Sequence, residues 1–105
     1  MLYLKQSATF ETWIRKLEDE RAKAIIAARL QRLVSGLAGD VAPVGHGISE
    51  LRIHYGPGYR IYFKQQGDVY IILLCVGDKG SQQRDIETAK RIAADWRTQD
   101  DRTVQ

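Results

Sequence analysis

The sequence predicts a small α+β domain: an antiparallel sheet with two N-terminal helices packed on one face, in the order β-α-α-β-β-β-α. Three observations carry that reading. Residues 50–76 fall into short runs rich in β-branched and aromatic residues, broken at Gly56-Pro57-Gly58 and at Gln65-Gln66-Gly67-Asp68, which is the pattern of strands and tight turns. Residues 9–37 instead carry apolar side chains at helical spacing. A third apolar stripe, Ile86, Ala89, Ala93 and Trp96, marks a last helix over 82–97.

Taken in order, residues 1–6 contain Leu2, Tyr3 and Leu4, a short strand that can edge the sheet. Ser7 or Thr9 can cap a helix running to about Leu17, because a side-chain oxygen there accepts from an unpaired backbone N–H. Phe10, Trp13, Ile14 and Leu17 form its apolar face, and Ala22, Ile25, Ile26, Leu30, Leu33 and Leu37 form that of the next helix. The stripe changes phase near Glu18-Asp19-Glu20, so two helices meet at a bend, and negative charge there suits a helix N-terminus. Gly36 is a helix stop. Residues 39–47 read as a loop from their Gly and Pro content. Ser81 starts the last helix. Residues 1–97 form one domain, and 98–105 make a polar, frayed tail.

Within the central hairpin a three-residue loop sets Tyr55 opposite Tyr59, His54 opposite Arg60, Ile53 opposite Ile61 and Arg52 opposite Tyr62. Alternation then puts Ile53, Tyr55, Tyr59, Ile61 and Phe63 on one face and Arg52, His54, Arg60, Tyr62 and Lys64 on the other. The sheet has a core side and a cationic side. A two-residue turn at Gln66-Gly67 would add Tyr70, Ile72 and Leu74 to the apolar face. Ile71, Leu73 and Cys75 would then lie beside Arg60 and Tyr62, where the C-terminal segment would cover them.

Composition narrows the function classes. At 105 residues the chain holds one modest core. One cysteine and two histidines exclude an internal disulfide and leave too few ligands for a structural zinc site, so no metal or cofactor is expected. The longest apolar run, residues 69–76, is too short to span a bilayer, and no signal-peptide pattern opens the chain; a cytoplasmic setting is expected. The net charge of +3 favours an anionic partner. Between Arg52 and Arg84 five cations face two acids, Asp68 and Asp78.

The run E-L-R-I…Y-G-P-G-Y-R-I-Y-F, the strand end V-G-D-K-G-S-Q-x-x-D-I and the helix A-x-x-I-A-x-x-W together resemble the RelE/ParE toxin superfamily, in its HigB-like addiction module killer branch. The resemblance implies a RelE-like fold and a cytoplasmic toxin of a type II toxin–antitoxin module. It implies a cognate antitoxin with a helix-turn-helix DNA-binding domain, a toxin–antitoxin hetero-oligomer, and growth arrest when the toxin acts alone. Active relatives cut mRNA in the ribosomal A site without a metal, inhibiting translation. Their catalytic cations fall here on Arg52, Arg60 and Lys79. Where some relatives carry a tyrosine or histidine acid–base group, this chain has Asp85 or Ile86, and no histidine follows Gly80.

The residues themselves point the same way. When a 2′-hydroxyl attacks the adjacent phosphorus, negative charge grows on phosphate oxygens, and fixed guanidinium groups stabilise it. Arg60 and Arg52 are the candidates for that grip, Lys79 for a phosphate or the leaving oxygen, and His54 for general acid or base work. Tyr62, Lys64 and Arg84 are candidate RNA contacts, Tyr62 by stacking on a base. The plain alternative is two solvated arginines, a turn lysine, a surface histidine and a cross-strand Tyr62–Ile71 pair. Cys75 reads as a small buried apolar residue, and Asp78 and Asp85 as turn and helix supports. The competing functions are a non-enzymatic toxin that poisons DNA gyrase and an attenuated toxin that still binds its antitoxin.

Overall fold

The computed structural model describes residues 2–96 and the backbone of 103–104. In chain order the elements are β1 (Tyr3–Gln6), α1 (Ala8–Lys16), α2 (Glu20–Val34), β2 (Val41–Gly45), β3 (Ile48–Ile53), β4 (Tyr59–Gln66), β5 (Tyr70–Gly77), a single 3-10 turn (Lys79–Ser81), α3 (Gln82–Asp95) and β6 (Thr103–Val104). The sheet order is β2-β3-β4-β5-β1-β6, with β1 parallel to β5. The domain is therefore α+β with a mixed sheet, not the purely antiparallel one expected, and it carries a strand between α2 and β3 that the sequence pattern concealed.

That strand is β2, inside the segment expected to be a loop. Pro43 donates no hydrogen bond, yet β2 lies at the sheet edge, where only one side of the strand needs partners. Its hairpin to β3 turns through His46 and Gly47, both at positive φ. At the opposite side β1 is not an edge: β6 pairs with it antiparallel through Leu4↔Val104 and Lys5↔Thr103. These are two residues of the tail expected to fray; the rest of that tail, and Arg97 of the last helix, lie outside the described residues.

Ser7 caps α1 by accepting from the Phe10 amide at 3.0 Å, and Asp19 caps α2 by accepting from Ala22 at 3.0 Å. The chain bends between them, as the change of stripe phase requires. Helix α2 stops before Gly36, whose φ of +84° no L residue holds cheaply, and Leu37 falls off the stripe with 63% exposure. Phe10, Ala22, Ile26, Leu30 and Leu33 pack on Leu51, Ile53, Ile61, Phe63 and Leu73. Leu51, Ile61 and Leu73 are each 0% exposed, a burial that stabilises by about 1.5–3 kcal/mol per side chain.

Helix α3 covers the other face, where Ala89, Ile86, Ala93 and Trp96 meet Ile48, Tyr62, Ile72, Leu74 and Cys75. The helices thus sandwich the sheet. Both predicted registers shift. The β3–β4 loop takes in residues 54–58, so Ile53 pairs Tyr59, Arg52 pairs Arg60 and Glu50 pairs Tyr62. This slip of two residues keeps the side chains that remain in the strands on their faces and changes their neighbours, while His54 and Tyr55 pass into the loop. The β4–β5 loop is three residues, with Gln66 opposite Tyr70. That odd slip turns β5 over: Ile71 and Leu73 face α1 and α2, whereas Ile72 faces α3. A bulge then places Leu74 and Cys75 together on the α3 side. Among the described residues no helix is long and apolar enough to cross a membrane.

Candidate functional site

The α3 side of the sheet carries a buried carboxylate where the sequence suggested only cations. Glu50 is 0% exposed. Its Oε1 accepts from Arg52 Nε at 2.9 Å and Arg60 Nη1 at 2.7 Å; its Oε2 accepts from the Tyr62 hydroxyl at 3.0 Å and Gln82 Nε2 at 2.8 Å. The donors come from β3, β4 and the first residue of α3. Alternation along β3 puts Glu50 and Arg52 on one face, and the pairings Glu50↔Tyr62 and Arg52↔Arg60 bring the β4 residues to them. A buried charge is tolerated only when paired and fully hydrogen-bonded, and Glu50 is both. Burial alone would push its carboxyl up. The bonds from Arg52 and Tyr62, the charge of Arg60 and the bond from Gln82 outweigh this and hold it below its ordinary value.

A second carboxylate closes the cluster at the loop end of β3. Asp40 precedes β2, and its carbonyl accepts the Arg52 amide at 2.9 Å. Its Oδ1 lies 3.4 Å from Arg52 Nη1, and its Oδ2 lies 2.7 Å from His54 Nε2. The His54 bond, followed by the Arg52 charge, holds the Asp40 carboxyl below its usual range against the opposing effect of desolvation. Arg29 of α2 braces this corner by donating to the carbonyls of Arg52 and Ala38. Gly39, at φ +79°, leaves the room: a Cβ there would come within 2.8 Å of the Arg29 guanidinium. A continuous chain of bonds thus runs His54–Asp40–Arg52–Glu50–Arg60.

Of the residues expected to act, Arg52, Arg60 and His54 come together here. Arg52 keeps 37% of its side chain exposed and Arg60 keeps 16%. His54 has left the strand for the loop; it does not face Arg60, because the loop is longer than the three residues expected. Lys79 is exposed in the 3-10 turn, close to Gly58 at the tip of the β3–β4 loop, and two residues beyond Gly77, which pairs with Arg60. Arg84 is exposed on α3 at a pocket of about 250 Å³, which Trp13, Tyr59, Asp78, Ser81 and Asp85 also line.

Two candidates do not serve as RNA contacts beside the arginines. Tyr62 is 0% exposed and cannot stack on a base; its hydroxyl serves Glu50, and burial followed by that bond pushes its pKa up. Lys64 lies four residues beyond Arg60 on β4, about 13 Å from it at the usual strand rise. It borders a cavity of about 240 Å³ with Ile72, Leu74, Ala93 and Trp96. Cys75 is buried beneath α3, and burial, with the charge of Asp85, pushes its thiol up to about 12. Asp78 caps the 3-10 turn by accepting from the Gly80 amide at 2.8 Å, and Asp85 accepts from the Ser81 hydroxyl. Among the described residues no group of three His, Cys, Asp or Glu side chains is placed to hold a metal.

Glu50, Asp40 and Gln82 were not among the expected site residues. The first had a signal, an acid two residues from Arg52 and so on the same strand face. The other two reach the cluster only through the fold. No protein-family model matches the sequence. The chain is 50% identical over 92 residues to an uncharacterized protein of Haemophilus influenzae (strain ATCC 51907 / DSM 11121 / KW20 / Rd), across 88% of this chain and 93% of that protein.

Proposed function

We infer that the chain, which belongs to one family with the Haemophilus influenzae protein, is the toxin of a type II toxin–antitoxin module that cuts ribosome-bound mRNA without a metal. The observation that carries this is the cross-strand pair Arg52↔Arg60 over a buried Glu50. One carboxylate anchors two guanidinium forks from adjacent strands, so both are held in place before any substrate arrives. A preorganised donor stabilises developing phosphate charge without reorganising during the reaction. Together the three side chains carry one net positive charge, and Lys79 and Arg84 add cations towards the same end of the sheet. The sequence resemblance to RelE-like toxins supports the same reading. It adds the expected partners: a cognate helix-turn-helix antitoxin in a hetero-oligomer, and the translating ribosome in the cytoplasm.

One observation favours a second reading. Glu50 and Asp40 already engage both arginines, and an internal carboxylate competes with a phosphate for the same fork. A toxin that binds DNA gyrase, or one whose remaining role is antitoxin binding, has no need of free guanidinium groups. Expression of the chain alone, with and without its neighbouring antitoxin, followed by 5′-end mapping of cellular RNA, separates these readings. The nuclease reading expects growth arrest relieved by the antitoxin and new mRNA ends within translated frames. Arrest with intact mRNA and trapped gyrase–DNA complexes would favour the gyrase binder, and undisturbed growth at verified soluble expression would leave only antitoxin binding.

A further inference from the structure

We propose that Asp40 is a positioning residue that fixes the His54 ring so that its Nδ1 serves as the general base towards the attacking 2′-hydroxyl. The inference rests on the nuclease reading and names the proton acceptor that reading lacks.

His54 Nε2 and Asp40 Oδ2 are joined by a 2.7 Å bond. An ionised carboxylate only accepts, and Asp40 is held ionised by His54 and Arg52. In the neutral imidazole the proton must therefore sit on Nε2, and Nδ1 carries the free lone pair. The ring stands 76% exposed, so Nδ1 is open to a substrate group. An exposed acid–histidine pair is ordinarily worth little. This one differs in how its carboxylate is held. The Asp40 backbone is tied to β3 by the Arg52 amide, its Oδ1 faces Arg52 Nη1, and Arg29 braces the preceding Ala38 carbonyl. The charged groups acting on the Asp40–His54 pair are thus Arg52 and Arg29, both fixed in place. Arg52 in turn shares Glu50 with Arg60. The base and the two phosphate-gripping groups are joined by one unbroken chain of bonds.

The step balances without any further reagent. Nδ1 of His54 takes the 2′-hydroxyl proton while the 2′-oxygen forms its bond to phosphorus. The bond from phosphorus to the 5′-oxygen breaks, and that oxygen takes a proton from water. The products are a 2′,3′-cyclic phosphate and a 5′-hydroxyl, and the imidazolium returns its proton to solvent.

The test combines imidazole ¹⁵N spectra of the folded protein with single-turnover cleavage on programmed ribosomes. The chain has two histidines, His46 and His54, so a His54→Ala variant assigns the signals. The parent should show His54 protonated at Nε2 alone when neutral, and Asp40→Ala should show a mixture of tautomers in a chain that keeps the parent's far-ultraviolet circular dichroism. His54→Ala should cut about 100-fold or more slowly, and added imidazole should restore part of its rate. Asp40→Ala should lose less and gain nothing from imidazole, whereas Asp40→Glu should recover most of the parent rate. A parent ring protonated at Nδ1, or a cutting parent whose rate neither His54→Ala nor Asp40→Ala changes, would overturn the assignment while leaving the nuclease reading intact. A parent that cuts no ribosome-bound mRNA would remove both.

Discussion

Glu50 and Arg60 are joined across β3 and β4 by a 2.7 Å ion pair in which the carboxylate has no solvent exposure and the arginine very little. The pair ties stability to the candidate site, because deleting the carboxylate strands Arg60, and deleting Arg60 takes one of two cations from a carboxylate that water does not reach. Breaking a buried pair by deleting one member typically costs about 3–5 kcal/mol. Glu50→Ala leaves Arg60, Arg52, Tyr62 and Gln82 without their shared acceptor, so its unfolding free energy from urea melts should fall by an amount in that range, with a lower midpoint. Glu50→Gln retains an acceptor and should lose less. Parent-like urea midpoints for both variants would show that the carboxylate does not organise these donors.

Acid should act on the same groups. Glu50 and Asp40 are held below their unfolded values, so the unfolded chain binds protons first as pH falls. Their contribution is fully present above the unfolded carboxylate range, about 3.9–4.3, and is lost as pH drops through the lower folded values. Below about pH 4 the parent should therefore lose stability more steeply than an Asp40→Asn, Glu50→Gln double variant. Equal slopes in urea melts across pH 2–5 would assign the acid sensitivity to other carboxylates.

How much of this was legible in the sequence depended on whether the cause was local. Caps, helix stripes apart from Leu37, the bend after α1 and the stop at Gly36 follow from a few neighbouring residues, and they stand where the sequence puts them. Faces along β3 and β4 were also legible, because a two-residue slip preserves alternation. The turn of β5 was not: one different loop residue at Gly67-Asp68-Val69 exchanges the two faces of Ile71, Ile72 and Leu73. The strand β2 was hidden by Pro43, which only an edge position excuses. Arg52, Arg60 and His54 were found as charges on one face. Their partners were not: Glu50 carried a signal in its place two residues from Arg52, whereas Asp40 meets His54 across 14 positions of sequence and Gln82 meets Glu50 across 32.

Cys75 offers an independent check of the second core. Its thiol lies under α3 and donates towards the Asp85 carbonyl at 3.4 Å, and burial has pushed its pKa up to about 12. The thiolate is the reactive form, so at pH 8 a maleimide or disulfide reagent should leave the native protein unlabelled. Labelling should appear with the urea unfolding transition. Rapid modification of the folded chain would mean that α3 does not cover this face.

The last prediction concerns which cation on the sheet carries function. Arg60→Ala is a poor probe, because it leaves Glu50 with one positive partner in place of two and confounds folding with chemistry. Arg60→Lys keeps a charge within reach of Glu50 and removes the fork, since an ammonium cannot reproduce the planar geometry. It should stay folded, with a melting temperature within a few degrees of the parent. Its cleavage of ribosome-bound mRNA should nonetheless fall by roughly 100- to 1,000-fold, the usual loss when an oriented charge-stabilising donor is removed. Lys64→Ala should lose far less, because Lys64 lies about 13 Å along the strand, beside the cavity with Trp96 and outside the arginine cluster. Toxicity and single-turnover cleavage give the ranking, with melting as the control. A folded Arg60→Lys variant that cuts like the parent, beside a folded Lys64→Ala variant that does not, would move the phosphate site from the Glu50 cluster to the far end of β4.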